Sequence, residues 1–369
     1  MYGLGDEAEL ASYQDASMKR IRYTIENFLD RNPRKSVRFK SVVVRRDPVQ
    51  LFRELDQKFN SSTVTITEHQ DHFQVDVDRK IKQSGRRVRG SFAFFEHEDS
   101  QIWTALTGHA SDFFERGLEW VIRKCKPHLY EFYATGRDLE HVLDRFSKSF
   151  DHHAEIRVTQ AVAYSHQDQA EISYKKRPYA TVFRKARNGG NYVDSLSFRT
   201  RTEEQTVMQA ALTRDGTTKL SGGNVELFFN RLLEQYISYG DKKAELFTGK
   251  ERNRTTGDVE EIEIQFDHPV FQSPKDNEDL IEALADLGQA NVTVYHSNPY
   301  AHVSVLDFND GSSCDVFVTD PETVSIVPSY RGSTSFLMRI SEKLYRELDE
   351  STVEYIEERS LGVEDFLEA

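Results

Sequence analysis

Asp76, Asp78 and Lys80 stand two residues apart on a run that alternates apolar and polar side chains, with Asp71 upstream. Carboxylates at that spacing can hold Mg2+, and a lysine beside them can orient an attacking water, the chemistry of a metal-dependent nuclease. The same alternation is what the polar face of an amphipathic hairpin requires, so both aspartates have an account without a metal. His69-Gln70-Asp71-His72 and Asp151-His152-His153 contain metal-ligating side chains, but neither group supplies the three or four converging ligands of a zinc site. They read as solvated turn histidines. Cys125 lies between Lys124 and Lys126, neighbours that can lower a thiol pKa, yet no His-Asp pair is near it in sequence, and a buried or inert thiol is expected. Ser221-Gly222-Gly223-Asn224 at a helix start offers free amides to an anion, and helix capping explains it better. The chain has no glycine-rich phosphate loop followed by Lys-Ser/Thr and no Gly-x-Ser-x-Gly elbow. The expectation is a non-enzymatic protein with no catalytic residues, no metal ligands and no cofactor. A nuclease is the enzymatic alternative.

Cations form the stronger signal. Arg79, Lys80, Lys82, Arg86, Arg87 and Arg89 surround a Ser84-Gly85 tip. Lys175, Lys176 and Arg177 precede Tyr179, and Arg184, Lys185 and Arg187 lead into Gly189-Gly190, with Tyr174, Phe183 and Tyr192 interleaved. Both segments read as basic hairpins able to neutralise phosphates, with aromatics that could stack on unpaired bases. A run of Arg31, Arg34, Lys35, Arg38, Lys40, Arg45 and Arg46, with Lys250, Arg252 and Arg254, could extend the patch. Long hairpins also carry Lys and Arg simply to stay solvated and to discourage edge pairing.

The charge is divided along the chain. Residues 258–369 hold 25 acidic and 6 basic side chains, while residues 1–257 carry a net +6 within an overall −13. Such a division suits a nucleic-acid partner for the basic part and a protein partner for the acidic part. The expected function is therefore non-enzymatic nucleic-acid binding through the two basic hairpins. The alternative is a protein–protein scaffold or adaptor subunit of a larger complex. With 38% hydrophobic and 30% charged residues, the composition is that of a globular protein. Two cysteines are too few for a disulfide framework, and no apolar run is long enough for a membrane span. A cytoplasmic location without membrane contact is expected.

These side chains must be placed by a repeated unit. Phe113-Phe114-Glu115-Arg116-Gly117-Leu118-Glu119 recurs in form as Phe228-Phe229-Asn230-Arg231-Leu232-Leu233-Glu234 and as Phe336-Leu337-Met338-Arg339-Ile340-Ser341-Glu342, at intervals of 115 and 108 residues. Each copy follows a glycine turn and reads as an amphipathic helix on which Arg and Glu three apart can pair. Before each copy the pattern predicts a strand, a helix and four strands. These predict first strands at 38–45, 129–133 and 259–266 and first helices at 48–59, 138–150 and 277–288. In the second copy, residues 179–185 or 193–200 are expected as a strand, with 206–213 as the last one.

The predicted class is α+β: three tandem β-α-β-β-β-β-α units, antiparallel sheets with helices on one face, plus N-terminal and C-terminal helices. The divisions are an N-terminal helical segment at 1–36, unit 1 at 37–126, unit 2 with a basic insertion at 127–248, acidic unit 3 at 258–350 and an acidic tail at 351–369. This succession resembles the TATA-box-binding-protein fold. The resemblance implies two helices over one face of a curved sheet, and it carries no function, since no sequence motif of that family matches. The exposed face predicted here, with Thr63, Thr65, Thr67, Gln74, Asp76, Asp78, Glu261 and Glu263, is too polar to wedge a minor groove open.

Overall fold

The computed structural model describes residues 2–4, 17–59, 61–150, 154–202, 205–250, 260–349 and 351–355. The chain is α+β and divides into two compact bodies, residues 1–244 and 245–369.

The first body opens with α1 (Met18–Arg31), whose Ile21, Ile25, Phe28 and Leu29 are buried. Strand β1 (Val37–Val44) and helix α2 (Pro48–Lys58) follow, the helix capped by Asp47 on the Val49 amide with Pro48 in its first turn. Then come β2 (Ser62–Glu68), β3 (Phe73–Lys80), β4 (Arg87–Glu96) and β5 (Ile102–Thr107). Helix α3 runs through Ser111–Phe113, a wider π turn at Phe114–Leu118 and Glu119–Lys124. The short strand β6 (Leu129–Tyr130) leads to α4 (Gly136–Lys148). After it stand β7 (Ala154–Ser165), β8 (Glu171–Pro178), α5 (Tyr179–Asn188), β9 (Asn191–Thr202), β10 (Gln205–Thr213) and β11 (Thr217–Gly223). Helix α6 comprises Val225–Leu227, a second π turn at Phe228–Leu233, and Glu234–Phe247.

These strands form one sheet in the order β2-β3-β4-β5-β1-β11-β10-β9-β7-β8, with β6 beside β1. The sheets expected separately for residues 37–126 and 127–248 are thus continuous, joined where β1 pairs antiparallel with β11. The register fixes which side each residue faces. Phe39, Leu106 and Thr218 share one side, and Phe39 packs on Phe228 and Phe229 of α6 with ring centroids at 4.7 and 5.4 Å. Val42 and Ala105 lie on the other side, in the cluster of Phe52, Phe92, Phe94, Phe114 and Leu118 beneath α2 and α3. The sheet therefore carries helices on both faces, α2 and α3 over one half and α1, α4, α5 and α6 over the opposite side of the other half. The single helical face implied by the resemblance does not hold for this body. Its physical reason is β1, which is buried along most of its length and sends Phe39 and Val43 to one side and Val42, with the buried Lys40, to the other.

Two local expectations are corrected. Residues 179–185 are not a strand but the start of α5, so Tyr179, Arg184, Lys185 and Arg187 stand on a helix. Val182, Phe183 and Ala186 form its buried stripe, a helical period that the β-rich residue types disguise. Strand β11 was not foreseen after residue 213. The Asp215-Gly216 turn introduces it, with Gly216 at φ +81 and passing so close to β1 that a Cβ would collide with the Ser41 carbonyl oxygen.

The second body has β12 (Ile262–Phe266), α7 (Pro274–Ala285), β13 (Ala290–His296), β14 (His302–Asp307), β15 (Ser313–Asp320), β16 (Thr323–Pro328), α8 (Thr334–Glu347) and β17 (Ser351–Tyr355). Its sheet order is β13-β14-β15-β16-β12-β17. The succession β13-β14-β15-β16-β12 runs as β2-β3-β4-β5-β1 does in the first body. The acidic tail beyond residue 355 lies outside the described residues.

The arginine of each repeated motif does not pair with the glutamate three residues on. Arg116 sits 3.5 Å from Asp112. Arg231 donates to the Ser149 carbonyl and Arg339 to the Gly288 carbonyl, at 2.7 and 2.6 Å, just past the ends of α4 and α7. A guanidinium there satisfies carbonyls that a helix C-terminus leaves open and meets the negative end of its dipole.

Helix α4 begins with a capping box between Thr135 and Asp138, and Lys243 approaches the Asp138 carboxylate at 3.4 Å. Burial raises that carboxyl's pKa, but Lys243 and the Thr135 hydrogen bonds together outweigh it and leave it below the usual range. A carboxyl depressed in the folded state contributes stability above its unfolded pKa, near 4, and loses it as pH falls through the folded value. Urea midpoints are expected to fall on acidification below about pH 4, and to fall less steeply in Asp138→Asn. Equal acid sensitivity in the two proteins would remove Asp138 from this account.

Candidate nucleic-acid interface

The first basic segment is shorter than the sequence suggests. Lys80 and Arg87 are already paired within the β3–β4 ladder, leaving only residues 81–86 as the turn. Its arginines, though exposed or half-buried, are engaged by groups of the same fold. The Asp78 carboxylate accepts from Arg87 at 2.6 and 2.8 Å and from Arg89 at 2.9 and 2.6 Å. Those bonds, Arg87 foremost, hold the Asp78 carboxyl below its ordinary range. Arg86 pairs with Asp112 at 3.0 Å. Arg79 donates to the Arg116 carbonyl at 2.7 Å and lies 4.6 Å from the Trp120 ring centroid. Lys80 and Lys82 are exposed and carry no ion pair among the described residues.

The second segment is less neutralised. Lys175, Lys176 and Arg177 are exposed on β8, the sheet's edge strand, and Arg184 and Lys185 are exposed on α5. None of the five has an ion pair among the described residues. Arg187 pairs with Glu140, and the Tyr179 hydroxyl donates to Asp144 at 2.6 Å. The two segments are not equivalent connections. One joins β3 to β4; the other lies in the β8–α5 insertion between β7 and β9. Strands β4 and β8 stand seven spacings apart, about 34 Å along the sheet at ~4.8 Å each. The structure does not bring them into one patch.

It brings together residues that the sequence reading missed. Among the described residues no helix covers the side of β11, β10, β9 and β7 that faces away from α4, α5 and α6. That side presents Arg157, Gln160, Ser197, Arg199, Arg201, Gln209 and Lys219, each exposed or half-buried. Arg157 on β7 lies directly opposite Arg199 on β9. Arg38 on β1 lies directly opposite Lys219 on β11, with both on the same side. Opposed residues in an antiparallel ladder have Cβ atoms about 5 Å apart, so like charges there destabilise the pairing. Burial lowers the Lys219 pKa and Arg38 lowers it further. Glu155, opposite Arg201 and 2.7 Å from Arg157, is the acidic residue that this arginine group meets among the described residues. Lys175, opposite Gln160, extends the surface to the β8 edge. The span from β1 to β8 is about 24 Å at ~4.8 Å per strand. The signal was present in Ser197-Phe198-Arg199-Thr200-Arg201, where arginines occupy alternate positions of a strand.

At the β1 end the face meets α3. Arg38, Phe114, Glu119, Arg214 and Asp215 line a cleft of about 370 Å3 there, and Arg38 lies 5.6 Å from the Phe114 ring centroid. Lys40 does not extend the surface. It is fully buried, bonding Asp215 at 2.7 Å with Glu131 3.7 Å away. Lys250 is also buried, in the second body, and Arg252 and Arg254 lie outside the described residues.

The other sequence candidates resolve differently. Asp78 is saturated by two arginines and the Gln74 amide donates to Asp76, so the nuclease arrangement of Asp71, Asp76, Asp78 and Lys80 does not assemble. Among the described residues no three metal-ligating side chains converge. His72 is buried rather than solvated, its Nε2 2.6 Å from the Tyr2 hydroxyl and its Nδ1 2.9 Å from Asp71. Asp151-His152-His153 lies outside the described residues. Burial pushes the Cys125 thiol up to about 12, with Glu54 adding to it.

No protein-family model matches the chain, and no curated protein matches it. Among the described residues no helix is long and apolar enough to cross a membrane.

Reversing Arg87 and Arg89 to glutamate is expected to change nucleic-acid affinity by less than about fivefold, because both already answer Asp78 and sit far from the open face. A larger loss in a fluorescence-anisotropy titration would return the β3–β4 turn to the interface.

Proposed function

We propose that the first body is a non-enzymatic nucleic-acid-binding module that grips phosphates on the face of β11, β10, β9, β7 and β8 turned away from α4, α5 and α6, which ends at Arg38 of β1 beside α3. One observation carries this reading: two directly opposed like-charge pairs, Arg38 with Lys219 and Arg157 with Arg199, on the same open side of one sheet. A fold gains nothing from opposing cations in this way, whereas a bound polyanion relieves the repulsion and releases its own counterions. Gln160, Ser197 and Gln209 between the cations add donors suited to phosphate or sugar oxygens. Among the described residues the face has no central aromatic platform, so backbone contact rather than base stacking would set the affinity, and little sequence preference is expected. Lys175, Lys176 and Arg177 on the edge, with Arg184 and Lys185 nearby on α5, would gather the same strand as it leaves the sheet.

The test is an anisotropy titration with labelled 20-nucleotide RNA, single-stranded DNA and duplex DNA at several salt concentrations. Sequence-independent binding that weakens steeply with salt is expected. Absence of binding to all three at 50 mM salt would end the proposal.

A further inference from the structure

The second body carries a different surface. Six of the seven large apolar side chains that stand exposed among the described residues are Val294, Tyr295, Tyr300, Leu306, Phe308 and Tyr330. Three rings form a row across adjacent strands. Tyr295 lies 4.8 Å from His302, and His302 stacks on its cross-strand partner Phe317 at 4.2 Å and 21°. Val303 and Val316, on the opposite side of the same strands, are fully buried, so the row occupies the side away from the core. Tyr295 remains 63% exposed at β13, the edge strand of its sheet. Asp315, two residues from Phe317 and on the same side, lies 4.0 Å from the His302 imidazole.

The geometry points to a docking surface for an extended, arginine-bearing peptide, seated on the Tyr295–His302–Phe317 row beside Asp315. Charge complementarity selects this occupant: residues 258–369 carry 25 acidic against 6 basic side chains, which repels a phosphate backbone and attracts a cationic peptide. Arginine fits better than lysine. Its flat guanidinium stacks on an aromatic face while donating to a carboxylate, and lysine does so only as a point charge. The open edge of β13 offers main-chain groups along which an extended peptide can pair, with alternate side chains falling on the aromatic row. This surface is independent of the phosphate-binding face of the first body.

The test uses the full chain and a fluorescein-labelled ten-residue peptide alternating arginine and serine, with lysine–serine and glutamate–serine peptides beside it. The arginine peptide is expected to bind several-fold more tightly than the lysine peptide, and the glutamate peptide not to bind. Tyr295→Ala with Phe317→Ala is expected to weaken the arginine peptide about tenfold, and Asp315→Asn several-fold. These side chains are exposed or half-buried, and Asp315→Asn keeps the shape of the surface should the aromatic pair perturb folding. Equal affinity for the arginine and lysine peptides, undiminished by either variant, would reduce the effect to diffuse acidity and overturn the proposal. Failure of the arginine peptide to bind at 1 mM would also overturn it. So would a loss of oligouridylate affinity in the aromatic double variant, which would make the row a base-stacking platform instead.

Discussion

Reversal of Arg157, Arg199 and Arg201 to glutamate is expected to weaken binding of a 20-nucleotide single strand by about 100-fold or more near 0.1 M salt. The three side chains occupy neighbouring positions on β7 and β9, so the change removes three phosphate contacts and sets three repelling charges in their place. All three are exposed, with no described helix over them, and the fold loses no buried contact among the described residues. Stability should therefore remain within about 1 kcal/mol of the parent. Arg199→Glu alone separates the two quantities further. It turns the opposed Arg157/Arg199 pair into an opposite-charge pair, expected to stabilise by about 0.5 kcal/mol while weakening nucleic-acid binding. Thermal melts and titrations on the same samples check both signs. A variant that loses stability and affinity together would show the arginines to be structural.

The second large effect concerns the buried end of the same face. Lys40 is fully buried, while Asp215, its closest partner, is half exposed. Asp215→Ala is expected to destabilise the first body by about 2–4 kcal/mol, because it leaves an ammonium out of water with Glu131 at 3.7 Å, the weaker influence of Glu119 and neutral acceptors to answer it. Lys40→Met should cost about 1 kcal/mol or less, since the orphaned Asp215 carboxylate can turn to solvent. The asymmetry is the test in urea melts. Burial alone would depress the Lys40 pKa, but Asp215 and Glu131 raise it further than burial lowers it, so the lysine is charged in the fold. The Asp215 carboxyl is correspondingly held well below its ordinary value, burial being outweighed by Lys40 and by bonds from Thr213 and Thr217. Equal losses from the two substitutions would mean that the pair acts through packing rather than charge.

Much of the α+β character was legible because alternation and helical spacing are local properties. The strand around Ile262 and Ile264, the helix after Pro48 and the apolar stripe of α4 all follow from neighbours within seven residues. What the sequence concealed depends on partners far along the chain. The β1–β11 pairing that fuses two predicted sheets joins residues some 180 positions apart, and nothing near Val37 announces it. The covering of opposite sides follows from that pairing. The cationic face was invisible for the same reason. Arg38, Lys219, Arg199 and Arg157 come from four strands, and no window of sequence contains more than one opposed partner. The hairpin at residues 79–89 drew attention through its local density of charge, yet that density includes the residue that answers it, Asp78.

The dependence of affinity on salt tests the phosphate-binding face most directly. For a single strand, each phosphate neutralised by a protein cation adds about 0.7 to the slope of log K against log salt. Replacing Arg157, Arg199 and Arg201 with glutamine should reduce the magnitude of that slope by about 2, whereas glutamine at Arg87 and Arg89 should leave it unchanged. A slope that survives the first set and falls with the second would place the polyanion on the β3–β4 turn and contradict the account.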